Sequence, residues 1–111
     1  RLLFLEANYD EAMLASGPYP PFLQARISSS TGHLSNRQSA DFLGALKLSE
    51  APELTYLCHL SENNNTPECV SAEFAASAAD RISYLVAPRG QLICGRIDIG
   101  KTRTIKREVA L

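Results

Sequence analysis

Apolar residues fall in short clusters along the chain. Leu2, Leu3, Phe4 and Leu5 form a continuous run that closes on Glu6, Ala7 and Asn8, which predicts a buried strand over Arg1 to Asn8. Leu54, Tyr56, Leu57, Cys58 and Leu60 form a second run, bounded by Pro52 upstream and by Asn63, Asn64 and Asn65 downstream, and read as another strand. Ser83 to Ala87 and Gln91 to Asp98 read as two more, joined by a turn at Pro88-Arg89-Gly90. Helices are expected between them. Asp10 to Ser16, with Met13 and Leu14, has the pattern of a short helix stopped by Gly17 and Pro18; Pro20-Pro21 then opens another through Phe22, Leu23 and Ile27. Ser35 with Gln38 three residues on is a capping box, so a helix should run to about Lys47 with Ala40, Leu43 and Leu46 inward. Thr66 can cap a helix from Pro67 to Ile82 whose buried stripe is Val70, Phe74, Ala78 and Ile82. In outline the order is strand, helix, helix, strand, helix, strand, strand, that of an α/β protein.

The 111 residues are enough for one modest core. A formal charge of -1 supplies no general attraction to nucleic acid or to an anionic membrane. No apolar run nears the roughly 20 residues that span a bilayer, so a soluble chain with no membrane partner is expected. Cys58, Cys69 and Cys94 are odd in number and lack CxxC spacing, which argues against a disulfide framework or zinc knuckle and fits a reducing, cytoplasmic setting. The opening on an apolar strand, without an initiator Met, reads as a cut inside a larger protein. Lys101, Arg103, Lys106 and Arg107 stand in a stretch without an apolar partner pattern, expected to be a solvated basic tail over residues 99–111.

Candidate chemistry is confined to Glu6, Asn8, Asp10, His33, His59 and the asparagine turn with Asn64. His59 sits where a strand passes into a loop, and α/β sheets bind ligands outside the carboxyl ends of their strands. A histidine that only hydrogen-bonds to its loop fits the same position. His33 stands just outside a helix N-terminus, a place that favours anions, although position alone favours a solvent-facing loop histidine. Cys58 reads as core packing, because adjacent strand residues face opposite sides and it could not readily share a site with His59. There is no phosphate-cradling glycine loop, Ser nucleophile elbow, HExxH pair or EF-hand loop.

Four blocks in order, FLEANYDEAML, YPPFLQARI, GHLSNRQSA and HLSENNNTPE, resemble the C-terminal half of a metallo-β-lactamase-fold hydrolase, closest to the YycJ/WalJ-like group. The resemblance runs from Leu2 to about Ala87. It implies half of an αββα sandwich, taken as a partial domain over residues 1–98, within a metal-dependent enzyme that hydrolyses phosphodiester bonds, as a DNA exonuclease related to ribonuclease Z-type phosphodiesterases. The resemblance also implies two divalent ions in the full-length protein, zinc or manganese, that activate a water and clamp the scissile phosphate. By position, His59 matches the family's last metal-binding histidine, and His33 the histidine that protonates the leaving oxygen. Glu6 matches a position from which a carboxylate can orient a ligand histidine; Asn8, Asp10 and Asn64 are weaker candidates for supporting or substrate contacts. Tyr9 departs from the pattern, since ESNHD is the commoner form there. The family's HxHxDH motif is absent from these residues, so the segment alone is expected to be inactive and to expose surface that the other half of the sandwich would cover. A non-catalytic binding or scaffold half-domain, or a small-ester hydrolase on the same fold, are the other readings.

Overall fold

The apolar run at the front of the chain forms strand β1 (Leu2–Glu6), and Leu54–Cys58 forms β2, paired to it in parallel with Leu2 opposite Leu54 and Glu6 opposite Cys58. Strand β3 (Tyr84–Val86) adds in parallel to the far side of β2, giving the order β1-β2-β3. All three strands therefore end on one rim. This computed structural model describes residues 1–90, together with the backbone of two further strands, β4 (Ile93–Ile97) and β5 (Ile105–Val109). Those two pair with each other, antiparallel, as a separate two-stranded sheet.

Parallel neighbours need long crossovers, and helices supply them. Between β1 and β2 lie α1 (Glu11–Ser16), α2 (Pro21–Ile27) and α3 (Asn36–Gly44); between β2 and β3 lies α4 (Pro67–Ala75). All three helices read in this crossover are present, one more than the outline order counts. The capping box at Ser35 is present as expected, with Ser35 Oγ accepting from the Gln38 N–H and the Gln38 side chain accepting from the Ser35 N–H.

Two expected helix ends move inward. Helix α3 stops at Gly44, short of Lys47, and α4 stops at Ala75 instead of reaching Ile82. Ser77 ends α4 by starting a new turn: its Oγ accepts from the Ala79 N–H, and a 3-10 turn follows at Ala78–Arg81. This break shifts the buried stripe by one position, so Ala79 enters the core in place of Ala78.

Helices α3 and α4 and the turn after α4 cover one face of the sheet. Ala7, Leu57 and Tyr84 meet Ala40 and Leu43 of α3, Val70 and Phe74 of α4, and Ala79 and Ile82 beyond it, with Leu3, Leu5 and Val86 packed alongside. The Phe74 and Tyr84 rings lie 5.0 Å apart at its centre. Burying a side chain such as Phe74 contributes about 1.5–3 kcal/mol, so this layer is what fixes the strand ends in space.

The other face carries Leu2, Phe4 and Tyr56, and there β1 departs from the buried strand expected. Leu2 is 56% and Phe4 67% exposed, with the Phe4 ring stacked on Tyr56 at 5.1 Å. A continuous apolar run is the signature of a strand destined for cover on both faces, as parallel sheets usually have; here β1 is an edge with helices on one side.

Beyond Asp98, where a solvated tail is expected, Lys106 and Arg107 belong to β5. Lys101, Arg103 and the expected boundary at residues 98 and 99 lie outside the described residues. No helix among the described residues is long and apolar enough to cross a membrane.

Candidate functional site

Three segments converge at the carboxyl rim of the sheet. Glu6 is the last residue of β1, His59 follows the last residue of β2, and His33 comes two residues before the cap of α3. Local backbone contacts explain the convergence. The Ala7 N–H donates to the Cys58 carbonyl and the Asn8 N–H to the Leu34 carbonyl, at 3.0 and 2.9 Å, so the chain leaving β1 is stitched to both histidine loops. Ser39 Oγ, in the first turns of α3, donates to the Glu6 carbonyl.

One carboxylate oxygen serves both rings. Glu6 Oε1 lies 2.8 Å from His33 Nδ1 and 2.6 Å from His59 Nδ1, while Oε2 accepts the Leu34 N–H at 2.8 Å. Because a carboxylate only accepts, each imidazole donates from Nδ1 and keeps Nε2 as its free ring atom. The two rings meet edge to face, 5.3 Å apart. Burial pushes the Glu6 carboxyl up, but the Leu34 N–H and then the His33 and His59 rings pull it down, and the net value lies below the usual one. Glu6 is thus a carboxylate held ready for two donors.

The weaker candidates divide. Asn8 belongs to the site, since its Nδ2 donates to the His59 carbonyl at 2.8 Å. Asp10 does not reach it: its carboxylate caps α1 by accepting the Met13 N–H at 3.0 Å. Asn64 is buried behind the rim, with its N–H on Ser61 Oγ at 3.2 Å. Tyr9 is a packing residue, buried and bridged to Ser35 through the backbone. It borders an open cleft of about 570 Å³ with Glu11, Gln24 and Gln38, and neither histidine lines that space.

Cys58 corrects the expectation from strand alternation. It is the register partner of Glu6 and shares its face, and its Sγ donates to the Leu5 carbonyl at 3.6 Å. Burial first and the Glu6 charge second push its thiol up, which keeps it protonated and a poor ligand. Cys58 is partly buried on the face away from the helices and outside the core cluster, so the core-packing expectation does not hold.

Asn36, which the sequence did not single out, and Asn65, read there only as part of the asparagine turn, support the rim from below. Asn36 and Asn65 pair through their side chains, and Asn65 Nδ2 also donates to the Ala7 carbonyl at 2.9 Å. Their signal in the sequence is slight, an asparagine after a cap and one at the end of a turn.

The donor set fits part of a metal centre. Glu6, His33 and His59 each offer a ligand atom within 4.8 Å of the others, and no other such group of three occurs among the described residues. Imidazole and carboxylate suit zinc or manganese, but two ions need more ligands than this trio holds.

Comparison with known proteins finds relatives over part of the chain. The chain is 42% identical over 64 residues to exodeoxyribonuclease WalJ of Streptococcus pneumoniae, in both strains D39 and R6, a stretch covering 58% of this chain and 23% of the relative. Exodeoxyribonuclease YycJ of Bacillus anthracis is 38% identical over 63 residues, 57% of this chain and 24% of its own. Over that stretch the chain is YycJ/WalJ-like. The match spans about a quarter of the length of these curated relatives. No family profile matches the chain, and no solved structure does.

Proposed function

We propose that the chain is part of a metal-dependent hydrolase of metallo-β-lactamase fold that cleaves phosphodiester bonds, acting in the whole protein as a DNA exonuclease. The observation that carries this reading is the single Glu6 oxygen shared by His33 and His59 at 2.8 and 2.6 Å. A carboxylate on Nδ1 fixes the tautomer and orientation of an imidazole and raises the basicity of Nε2, which is how ligand histidines are usually held. His59 serves as a metal ligand through Nε2. His33, whose Nδ1–H rests on the same carboxylate, carries in its protonated form a proton at Nε2 for the leaving oxygen of the phosphodiester. Divalent ions, zinc or manganese, supply when bound the Lewis acidity that brings a water's pKa towards neutrality and offsets phosphate charge.

The sheet supports the same reading. Helices α3 and α4 pack on one face, and along the β1 edge the other face presents Leu2 and Phe4, as an edge awaiting the rest of an αββα sandwich would. The names of the relatives point to DNA ends as the substrate. The 111 residues by themselves are expected not to turn over, since His59 as the one ligand histidine, with Glu6 and His33 in other roles, falls short of a two-ion cage.

The test divides the two histidines. In the whole protein, His59→Ala should lower the metal content measured by elemental analysis. His33→Ala should leave the metal bound and slow hydrolysis of a DNA end by about 10²–10⁴-fold, the usual scale for a general acid. Loss of metal in His33→Ala would overturn this division.

A further inference from the structure

Strand alternation alone would place His59 on the wrong side of the sheet. Glu6 and Cys58 are register partners on one face, whereas Leu57 points to the other and lies in the core beneath the helices. One more extended residue after Cys58 would return to the face of Leu57, away from Glu6. Yet the His59 ring reaches Glu6 Oε1. It does so because His59 has φ 61, the one positive φ at a non-glycine among the described residues. The left-handed backbone turns the chain out of the strand at the position where the ring must change sides.

That conformation costs a residue with a Cβ, even histidine, which adopts it more readily than most, so what holds the His59 backbone there matters. Its carbonyl oxygen, turned out of the ladder, accepts from Asn8 Nδ2 at 2.8 Å. Asn8 is itself held from both sides, its N–H on the Leu34 carbonyl at 2.9 Å and its carbonyl on the Ser61 N–H at 2.7 Å, and it is 8% exposed. The amide is thus offered to His59 from a fixed support that also anchors the loop of His33.

We infer that Asn8 is a positioning residue: its side-chain N–H locks His59 in the left-handed conformation and so delivers the ring to Glu6. The inference rests on the reading of His59 as a metal ligand only for its consequence, since the lock is geometric. Aspartate at this position would set an oxygen against the carbonyl oxygen, and alanine would remove the donor.

In the whole protein, isotope-labelled for NMR, a scalar coupling across the hydrogen bond from Asn8 Nδ2 to the His59 carbonyl carbon tests the lock without any substitution. Its absence would overturn the inference, whether or not variants fold. Asn8→Asp and Asn8→Ala then test the consequence. The His59 backbone coupling should report an extended φ, and affinity for Zn(II), read by competition with a chelating dye, should fall about 10–100-fold. The Phe74 and Tyr84 ring resonances should stay unchanged as a check on the core. An unmoved φ at His59 would refute the proposal. If the wild-type protein binds no Zn(II) while the coupling and the shift in φ are found, the metal reading fails and the positioning role stands.

Discussion

Asn36 and Asn65 exchange two side-chain hydrogen bonds, each amide nitrogen 2.8 Å from the other's oxygen, in a place where they are 2% and 5% exposed. Asn65 fills its remaining capacity with the Ala7 carbonyl and the Thr66 N–H, both at 2.9 Å. The pair therefore ties the start of α3, the start of α4 and the exit of β1 at one point beneath the rim. Removing one partner leaves buried amide groups unpaired, which costs about 1–3 kcal/mol. Asn65→Ala should lower the urea midpoint accordingly. Asn36→Ala with Asn65→Ala should cost less than the sum of the two singles, and strict additivity would mean that the amides act independently.

Glu6 makes stability depend on acid. Its folded carboxyl lies below the usual value because the Leu34 N–H and the two imidazoles outweigh burial. A folded pKa below the unfolded one contributes stability that is present above the unfolded value and is lost as pH falls through the folded one. Glu6→Gln has no such charge to lose. Unfolding free energies of wild type and Glu6→Gln should therefore converge as pH is lowered through the acid range; a gap that stayed constant would show that the carboxylate charge carries none of the stabilisation.

The elements of this rim are legible in the sequence where the signal is local. Ser35 with Gln38, Thr66 before Pro67, and Pro21 each open the helix that their chemistry demands. His59 at the end of its strand is legible for the same reason. What escapes is whatever depends on partners distant in the chain. Glu6 reads as support for one histidine, yet 27 residues to His33 and 53 to His59 separate the groups that share its oxygen. The run Leu2 to Leu5 cannot disclose that only one of its faces is covered. A period-two pattern cannot announce the single left-handed residue that cancels it, which is why Cys58 and His59 read as facing apart. Likewise Ser77, an ordinary residue inside an apolar helical stripe, is the cap of a new 3-10 turn in the folded chain, which the stripe alone does not announce.

His59 holds a conformation that glycine would adopt freely. A left-handed backbone costs a residue with a Cβ about 1–2 kcal/mol. His59→Gly and His59→Ala both delete the ring, and only the second keeps the Cβ. His59→Gly should thus be the more stable in urea by about 1 kcal/mol, even though both variants lose the proposed metal ligand. Equal stabilities would indicate that the loop relaxes out of the left-handed region once the ring is gone.

Gly32 is the residue on which the position of His33 depends. A Cβ there would collide with the carbonyl oxygens of Arg26 and Ile27 at the end of α2. Neither oxygen is free to retreat, because Ile27 accepts the His33 N–H at 2.8 Å and Arg26 accepts Ser29 Oγ at 2.7 Å. Gly32→Ala must therefore shift the loop that carries His33, while the His59 side of the site stays in place. In the whole protein this predicts a fall in turnover with bound metal retained, the same signature as His33→Ala in weaker form. Gly90→Ala is the control: it strains a positive φ of 71 but meets nothing within 4 Å, so it should cost stability without moving either histidine. Equal losses of turnover in the two variants would mean that general destabilisation, and not the placement of His33, sets the rate.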